Sequence, residues 1–148
     1  MLNDEELLRY SRQILMPRFD IAGQAKLKSA RVLVVGAGGL GCPVALYLGA
    51  AGIGHMTLVD DDQIEIANLQ RQIAFEQSDL GESKAEHLAD RVRRINPDVS
   101  VATLTERLEG DELQRQVNSA TLVVDCTDNF NTKTSPVQKP VLSAPSLV

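Results

Sequence analysis

Residues 31–41 read RVLVVGAGGLG, a short apolar run followed directly by a glycine-rich loop. The run Arg31–Val35 has the length and composition of a strand that is buried on both faces. In the loop, Gly36, Gly38 and Gly41 match the spacing G-x-G-x-x-G, and a segment of helical character follows. The first glycine permits a tight turn, the second lets the backbone approach a ligand closely, and the third lets the helix pack against the sheet. The stretch therefore predicts a strand–loop–helix unit that receives an anionic ligand at the helix N-terminus.

An acidic residue at the end of the next predicted strand extends this interpretation. Asp60 lies 24 residues after Gly36 and directly follows the run HMTLV at residues 55–59. In nucleotide-binding units of this type, an acid near this position accepts hydrogen bonds from ribose hydroxyls. Loop and acid together predict an adenine-nucleotide site but leave NAD, FAD, S-adenosylmethionine and ATP open as ligands. A P-loop is excluded, because the sequence contains no G-x-x-x-x-G-K-[ST].

Strands alternate with helices along most of the chain. The alternation predicts an α/β fold with a Rossmann-like, mostly parallel sheet, right-handed crossovers and additional N-terminal helices. Residues 63–78 have mixed signals and are expected to be irregular, with short helical turns. We place a nucleotide-binding domain at residues 1–131 and an irregular, proline-rich tail at residues 132–148. Predicted helices cover 4–15, 23–28, 39–51, 84–95 and 111–117, and predicted strands cover 31–35, 55–59, 99–104 and 122–125.

The composition is that of one domain with its own core. Of the 148 residues, 43% are hydrophobic, and the length is too short for two domains of ordinary size. The net charge of -5 and the 3% of aromatic residues make nucleic acid and membrane surfaces poor partners. No apolar run reaches about 18 residues and the N-terminus is acidic, so we expect a cytoplasmic protein. Cys42 and Cys126 form no C-x-x-C pair, so no zinc site is expected and each is predicted to be a packing residue.

Polar residues that follow the predicted strands favour phosphate chemistry over hydride transfer. Arg71 lies in the polar segment after the second strand, and its guanidinium geometry suits phosphate oxygens. Lys84 opens a predicted helix, where its charge can neutralise a leaving pyrophosphate. Asp128 follows the last predicted strand, and Mg²⁺ prefers one or two carboxylates together with phosphate oxygens. Each residue has a plainer alternative, a solvated surface charge or a turn, and their expected shared place at one sheet edge favours the functional interpretation.

Seven short motifs follow one another along the chain: RYSRQ at 9–13, GAGGLGC at 36–42, LVDDD at 58–62, NLQRQ at 68–72, GESK at 81–84, RINP at 94–97 and DCTDN at 125–129. They resemble those of the MoeB/ThiF/HesA family, the E1-like adenylyltransferases related to ubiquitin-activating enzymes. The resemblance covers about residues 5–131, and N-L-Q-R-Q together with D-C-T-D-N makes it highly specific. Within the family, the sequence is most similar to members that serve molybdenum cofactor biosynthesis, with thiamine-pathway members close behind.

The resemblance implies ATP-dependent adenylation of the C-terminal glycine carboxylate of a ubiquitin-like sulfur-carrier protein, with release of pyrophosphate. The carrier is then the small subunit of molybdopterin synthase or the thiamine-pathway carrier. By the same resemblance, Asp60 holds the ribose and Asp128 serves Mg²⁺. Arg71 and Lys84 contact phosphates, and Arg12 reaches across a homodimer into the second copy's nucleotide. The implied catalytic residues are Arg71, Arg12 and Lys84, and the implied cofactor-binding residues are Gly36, Gly38, Gly39, Gly41, Asp60, Asn68, Gln72 and Asp128.

The resemblance ends after Asn131. The family continues with a second region of antiparallel strands and usually two C-x-x-C zinc pairs, which have no counterpart in this sequence. We therefore expect the C-terminal half of the family fold, with its zinc site, to be missing. Two alternatives to an adenylyltransferase stay open. One is a truncated, non-catalytic fragment that binds a nucleotide or a partner. The other is an NAD-dependent oxidoreductase domain, which does not account for Arg71, Lys84 and Asp128.

Overall fold

The computed structural model of the chain describes residues 1–127 and 141–143. None of the helices in these two ranges is both long and apolar enough to cross a lipid bilayer. The helices are α1 (Asp4–Arg9), α2 (Ser11–Ile14), α3 (Asp20–Ser29), α4 (Gly41–Ala51), α5 (Lys84–Ile95) and α6 (Gly110–Ser119), with short 3-10 turns at Ile66–Asn68 and Gln77–Asp79. The strands are β1 (Arg31–Val35), β2 (His55–Val59), β3 (Ser100–Leu104), β4 (Leu122–Asp125) and β5 (Val141–Ser143).

The strands form one parallel sheet in the order β3-β2-β1-β4-β5. Helices connect β1 to β2, β2 to β3 and β3 to β4, as parallel pairing requires. The sequence-based prediction of a Rossmann-like α/β fold is thereby confirmed. The 3-10 turns fall within the segment 63–78, where short helical turns were expected.

The central strand β1 is buried on both faces, as its apolar run predicts. Val32 and Val34 belong to a core that includes residues of α4 and α5. Leu33 and Val35 belong to a second core that includes Val117 of α6. The period-2 alternation of a strand sends successive side chains to opposite faces, so β1 contributes to both cores.

The sheet register brings three strand ends to one edge. Val35 is paired with Val59 at the end of β2 and with Asp125 at the end of β4. Parallel strands that end in register place their following loops side by side. The glycine loop, Asp60 and the residues after β4 therefore share the carboxyl edge of the sheet, where ligands bind in open α/β folds.

The N-terminal helix predicted at 4–15 is wrong in one respect, because the chain leaves helical geometry at Tyr10. This residue separates α1 from α2 with φ of -100° and ψ of 12°, and its side chain is only 4% exposed. The predicted capping box is confirmed: Asn3 Oδ1 accepts from the Glu6 N–H, and the Glu6 carboxylate accepts from the Asn3 N–H. Other predicted element ends differ from the structure by at most three residues, the largest difference being α3, which begins at Asp20.

The tail differs from its prediction at three residues. Val141–Ser143 form β5, which extends the sheet beside β4 with Val123 opposite Val141. These residues follow Pro140 in the sequence, and an outer strand tolerates a proline at its start because no ladder hydrogen bond is needed there. The other residues of the predicted tail lie outside the described ranges.

Candidate functional site

The backbone of the loop between β1 and α4 requires glycine at two positions. Gly36 has φ of +95°, a conformation that residues with a Cβ rarely adopt. Its N–H donates to the Val59 carbonyl at 2.7 Å, which ties the turn to the end of β2. A Cβ at Gly41 would overlap the carbonyl oxygen of Gly36. The third glycine thus allows close packing against the loop's own backbone, next to the end of the sheet.

Asp60 is hydrogen-bonded into the glycine loop. Its Oδ2 accepts from the Ala37 N–H at 2.6 Å and its Oδ1 accepts from the Asp62 N–H at 2.8 Å. Burial raises the pKa of this half-buried carboxyl above its ordinary value, although these two N–H donors and the positive charge of Lys84 act in the opposite direction. Each carboxylate oxygen has a further lone pair, so Asp60 retains capacity for a ligand hydroxyl.

Gln72 covers Gly38. Its Nε2 lies 3.6 Å from the place where a Cβ would stand on Gly38. The residue is only 3% exposed, and its Oε1 is buried without a hydrogen-bond donor among the described residues. A buried acceptor without a donor is unusual in a native protein and costs about 1–3 kcal/mol. This atom fits a site whose ligand carries a hydrogen-bond donor.

Arg71 covers the neighbouring glycine. Its Cδ lies 3.5 Å from the Cβ position of Gly39, and its Nη1 donates to the Ala67 carbonyl at 3.1 Å. The side chain is exposed, and it forms no ion pair with any carboxylate in the described part of the chain. A guanidinium over a glycine loop with no carboxylate partner offers donors to an anion.

Asn68 holds the turn that carries Arg71 and Gln72. Its Oδ1 accepts from the Glu65 N–H at 3.0 Å, and its backbone carbonyl accepts from the N–H groups of Arg71 and Gln72 at 3.1 and 2.9 Å. Asn68 itself is buried. The structure thus places its side-chain oxygen within the turn, so the geometry supports an indirect effect on a ligand through Arg71 and Gln72.

Lys84 lies at the first position of α5 and is almost fully buried, with 5% exposure. Its Nζ pairs with Asp62 Oδ2 at 2.9 Å, and its N–H donates to the Asp62 carbonyl at 3.2 Å. Asp62 also donates its N–H to Asp60, so Lys84 is linked to the acid of the glycine loop through one residue. Sequence reasoning did not single out Asp62; the run of three aspartates after β2 was the signal that it borders the site.

Two predicted site residues are not among those that the structure places around the glycine loop. Arg12 lies on α2 and is exposed. Asp128 lies outside the described residues, so its predicted role in binding Mg²⁺ stays a prediction. The carboxylates of Asp60, Asp61 and Asp62 lie close enough together to share a cation, but Lys84 already neutralises Asp62.

Both cysteines behave as packing residues, as predicted. Cys42 is fully buried at the start of α4, and burial raises the pKa of its thiol to about 11. Burial likewise raises the pKa of the Cys126 thiol to about 11. Neither is activated as a nucleophile.

Related proteins match this chain over most of its length. The sulfur carrier protein ThiS adenylyltransferase of Escherichia coli K12 and the molybdopterin-synthase adenylyltransferase of Salmonella typhimurium are each 45% identical to it over 132 residues, 89% of this chain and 53% of the relative. The SAMP-activating enzyme E1 of Haloferax volcanii is 46% identical over 132 residues, 89% of this chain and 49% of the relative. The chain thus spans about half the length of the curated relatives that it matches.

Solved structures share the fold. The E. coli tRNA N6-threonylcarbamoyladenosine dehydratase TcdA in complex with ATP has a TM-score of 0.86 at 26% identity, covering 97% of this chain and 61% of that one. E. coli MccB with AMPCPP and MccA has a TM-score of 0.73 at 34% identity, covering 82% of this chain and 38% of that one. The sequence matches the ThiF family over residues 10–145, which confirms the resemblance found in its motifs and corrects its predicted end at Asn131. This chain therefore belongs to the ThiF family.

Proposed function

We propose that this chain binds ATP with Mg²⁺ at the glycine loop and adenylates the C-terminal glycine carboxylate of a ubiquitin-like sulfur-carrier protein. The observation that carries the proposal is the position of Arg71 and Gln72 directly over Gly39 and Gly38. A dinucleotide-binding loop needs no guanidinium at this place, whereas a triphosphate benefits from one. The names of two relatives, a sulfur carrier protein ThiS adenylyltransferase and a molybdopterin-synthase adenylyltransferase, support the same reaction.

The adenosine end of the ligand is assigned to Asp60 and Gln72. Asp60 has lone pairs for a ribose hydroxyl beside the Ala37 N–H. Gln72 Oε1 has no donor among the described residues, and a nucleotide hydroxyl or amine is proposed to provide one. Asp60 is held by the glycine loop and Gln72 by the turn at Asn68.

The phosphates are assigned to Arg71 and Lys84. Lys84 Nζ is held by Asp62, so a triphosphate at this edge competes with Asp62 for the same ammonium group. Asp128, near the end of β4 in the sequence, is the proposed ligand of Mg²⁺, which when bound would further neutralise the charge of a leaving pyrophosphate. The cationic side chains then face the charge that develops at the reacting phosphates.

The reaction needs no protein nucleophile. An oxygen of the carrier's terminal carboxylate attacks the α-phosphorus and forms an acyl–phosphate bond. The bond between the α-phosphorus and the bridging oxygen breaks, and pyrophosphate leaves with the electron pair. The high thiol pKa values of Cys42 and Cys126 agree with a reaction in which neither cysteine takes part.

A homodimer is proposed because Arg12 is far from the glycine loop of its own chain. The glycine loop lies at the N-terminal end of α4. Gln13, the neighbour of Arg12, donates to the Ala51 carbonyl at the C-terminal end of the same helix. An α-helix of this length spans about 16 Å, more than an arginine side chain reaches. A second copy of the chain is the proposed place where Arg12 meets a nucleotide. The carrier is proposed to be the molybdopterin-synthase small subunit or the thiamine-pathway carrier.

Titration calorimetry and carrier-dependent pyrophosphate exchange test the proposal together. Asp60→Ala should weaken ATP binding at least about tenfold, and Arg71→Ala should lower exchange about tenfold to a hundredfold, since charged hydrogen bonds are worth about 1.5–3 kcal/mol. Arg93→Ala is the matched control, because Arg93 pairs with Asp90 on the exposed side of α5, and it should change neither. Asp128→Ala should reduce the Mg²⁺-dependent part of binding.

Three results would contradict parts of the proposal. NAD binding tighter than ATP would favour the oxidoreductase alternative. ATP binding with exchange at background for both carriers would favour a non-catalytic nucleotide-binding role. Unchanged affinity in Asp128→Ala would remove that residue from the metal site.

A further inference from the structure

Two motifs that lie 86 residues apart meet in the structure. Asn96 Nδ2 donates to the Tyr10 hydroxyl at 2.7 Å and to the Gly49 carbonyl at 2.9 Å. Asn96 is fully buried and Tyr10 nearly so. The Tyr10 ring also packs so tightly against Gly52 that a Cβ there would collide with it. The tyrosine of R-Y-S-R-Q is thus held between the C-terminal ends of α4 and α5.

Two other residues of the same motif bind the same helix ends. Gln13 Nε2 donates to the Ala51 carbonyl at 2.7 Å and to the buried amide of Gln24. Arg9 Nη1 donates to the Ile95 carbonyl at 3.3 Å. Carbonyls in the last turn of a helix have no partner within the helix. Arg9 supplies a donor to the Ile95 carbonyl, and Gln13 shares the Ala51 carbonyl with Gln24 Nε2, which donates to it at 3.0 Å.

Arg12 of the same motif has a charged group that is free among the described residues. It lies between Tyr10 and Gln13 in the sequence and is exposed. No hydrogen bond or ion pair joins its guanidinium to any other residue in ranges 1–127 and 141–143. Tyr10 and Gln13 are therefore anchored on either side of Arg12, while its own charged group stays available.

We infer that Tyr10 and Asn96 are positioning residues for Arg12, an inference that rests on the proposed function. Their hydrogen bond fixes the junction where α1 ends and α2 begins, and the Tyr10 carbonyl accepts from the N–H groups of Gln13 and Ile14 at 3.1 and 3.0 Å. The first turn of α2 is thus built on Tyr10. A helix of four residues has little stability of its own, so the direction of Arg12 depends on this anchor.

The same geometry links Arg12 to the phosphate-binding lysine. Lys84 begins α5 and Asn96 is the residue at which α5 ends. One rigid helix thus carries a proposed phosphate ligand at one end and the anchor of Arg12 at the other. In a homodimer, each chain would bind one nucleotide through Lys84 and would extend its Arg12 toward the nucleotide of the second copy. Helix α5 then fixes the distance between these two sites on one chain.

Tyr10→Phe removes the hydroxyl and keeps the ring, so it tests position with little loss of packing. In carrier-dependent pyrophosphate exchange, we expect kcat to fall about fivefold, the factor that one ordinary hydrogen bond represents, with the KM for ATP unchanged. In the Arg12→Ala background, Tyr10→Phe should have no further effect on kcat. The matched control is Tyr47→Phe, at the only other tyrosine of the chain, whose side chain is 77% exposed.

Additive effects of Tyr10→Phe and Arg12→Ala would overturn the inference, because residues that act through one another are not additive. Amide hydrogen exchange gives a readout that does not depend on catalysis. We expect the N–H groups of Gln13 and Ile14 to exchange about fivefold faster in Tyr10→Phe. Unchanged rates at these two amides would also overturn the inference. A wild-type chain without carrier-dependent exchange would refute the proposed function, and the amide rates would still decide whether Tyr10 holds α2.

Discussion

Replacing Gln72 by methionine should stabilise the ligand-free protein and weaken its binding of ATP. Gln72 Oε1 is buried without a donor among the described residues, and such an acceptor costs about 1–3 kcal/mol. Methionine has a similar shape and no acceptor that needs a strong hydrogen bond. Part of the gain is offset by lost contacts of Nε2 with the loop. We therefore expect the free energy of unfolding to rise by about 1 kcal/mol, and Tm by about 2–4 °C for a chain of this size.

The same substitution removes an acceptor that the proposed nucleotide would use. A neutral hydrogen bond contributes about 0.5–1.5 kcal/mol, so ATP affinity should fall about threefold to tenfold. Urea unfolding measured without nucleotide gives the first quantity, and calorimetric titration with ATP and Mg²⁺ gives the second. Both effects come from one atom, and they have opposite consequences for the free and the bound protein.

Gln24→Met is the matched control. Gln24 is also a buried glutamine, but its Nε2 donates to the Ala51 carbonyl at 3.0 Å and its Oε1 accepts from Gln13. Its replacement removes these two hydrogen bonds and should lower the free energy of unfolding by about 1–3 kcal/mol, although Gln13 Nε2 still donates to the Ala51 carbonyl at 2.7 Å. If Gln72→Met loses as much stability as Gln24→Met, the reasoning about Oε1 is refuted.

Three further predictions concern the loop, the N-terminus and the thiols. Gly41→Ala should abolish ATP binding and lower the urea midpoint, because its Cβ would overlap the Gly36 carbonyl; binding that survives would show that the loop can shift. A hydrogen bond from Lys28 lowers the pKa of Glu6 below its ordinary value of 4.5. The contribution of Glu6 to stability is therefore present above pH 4.5 and is lost as the pH falls through the lower pKa of the folded state. Glu6→Gln should remove that part of the acid dependence in urea titrations. Cys42, with a thiol pKa of about 11, should resist alkylation at pH about 8 in the folded protein, and rapid labelling would contradict its burial.

The parts of the fold that the sequence predicted well are those with a local period. The runs at residues 31–35, 55–59 and 122–125 form strands with the predicted ends, and residues 84–95 form α5 as predicted. Their patterns report burial, which repeats every two or every 3.6 residues. The break at Tyr10 was missed because leucines on both sides continue a helical pattern. What ends α1 is a tyrosine that is drawn into contact with Asn96, and no local pattern records that contact.

In the candidate site, too, the residues with a local sequence signal were predicted, and those placed by the tertiary fold were not. The glycine spacing and the acid at the end of β2 are local signals, and they were sufficient to predict a glycine loop with Asp60 beside it. The placement of Arg71 and Gln72 over that loop depends on how the irregular segment 63–78 folds back. That segment has no period, so its sequence does not indicate which side chains face Gly38 and Gly39.

By itself, the sequence determined the α/β order, the strand–loop–helix unit and the family, because each depends on neighbouring residues or on motifs in a fixed order. Only the tertiary structure decided that Lys84 is paired with Asp62, that Gln72 Oε1 lacks a donor within residues 1–127 and 141–143, and that Tyr10 is bonded to Asn96. These contacts join residues that are far apart in the chain. They arise when packed helices and strand ends bring polar groups out of water, and the partner available to each group is then set by the fold rather than by its neighbours in sequence.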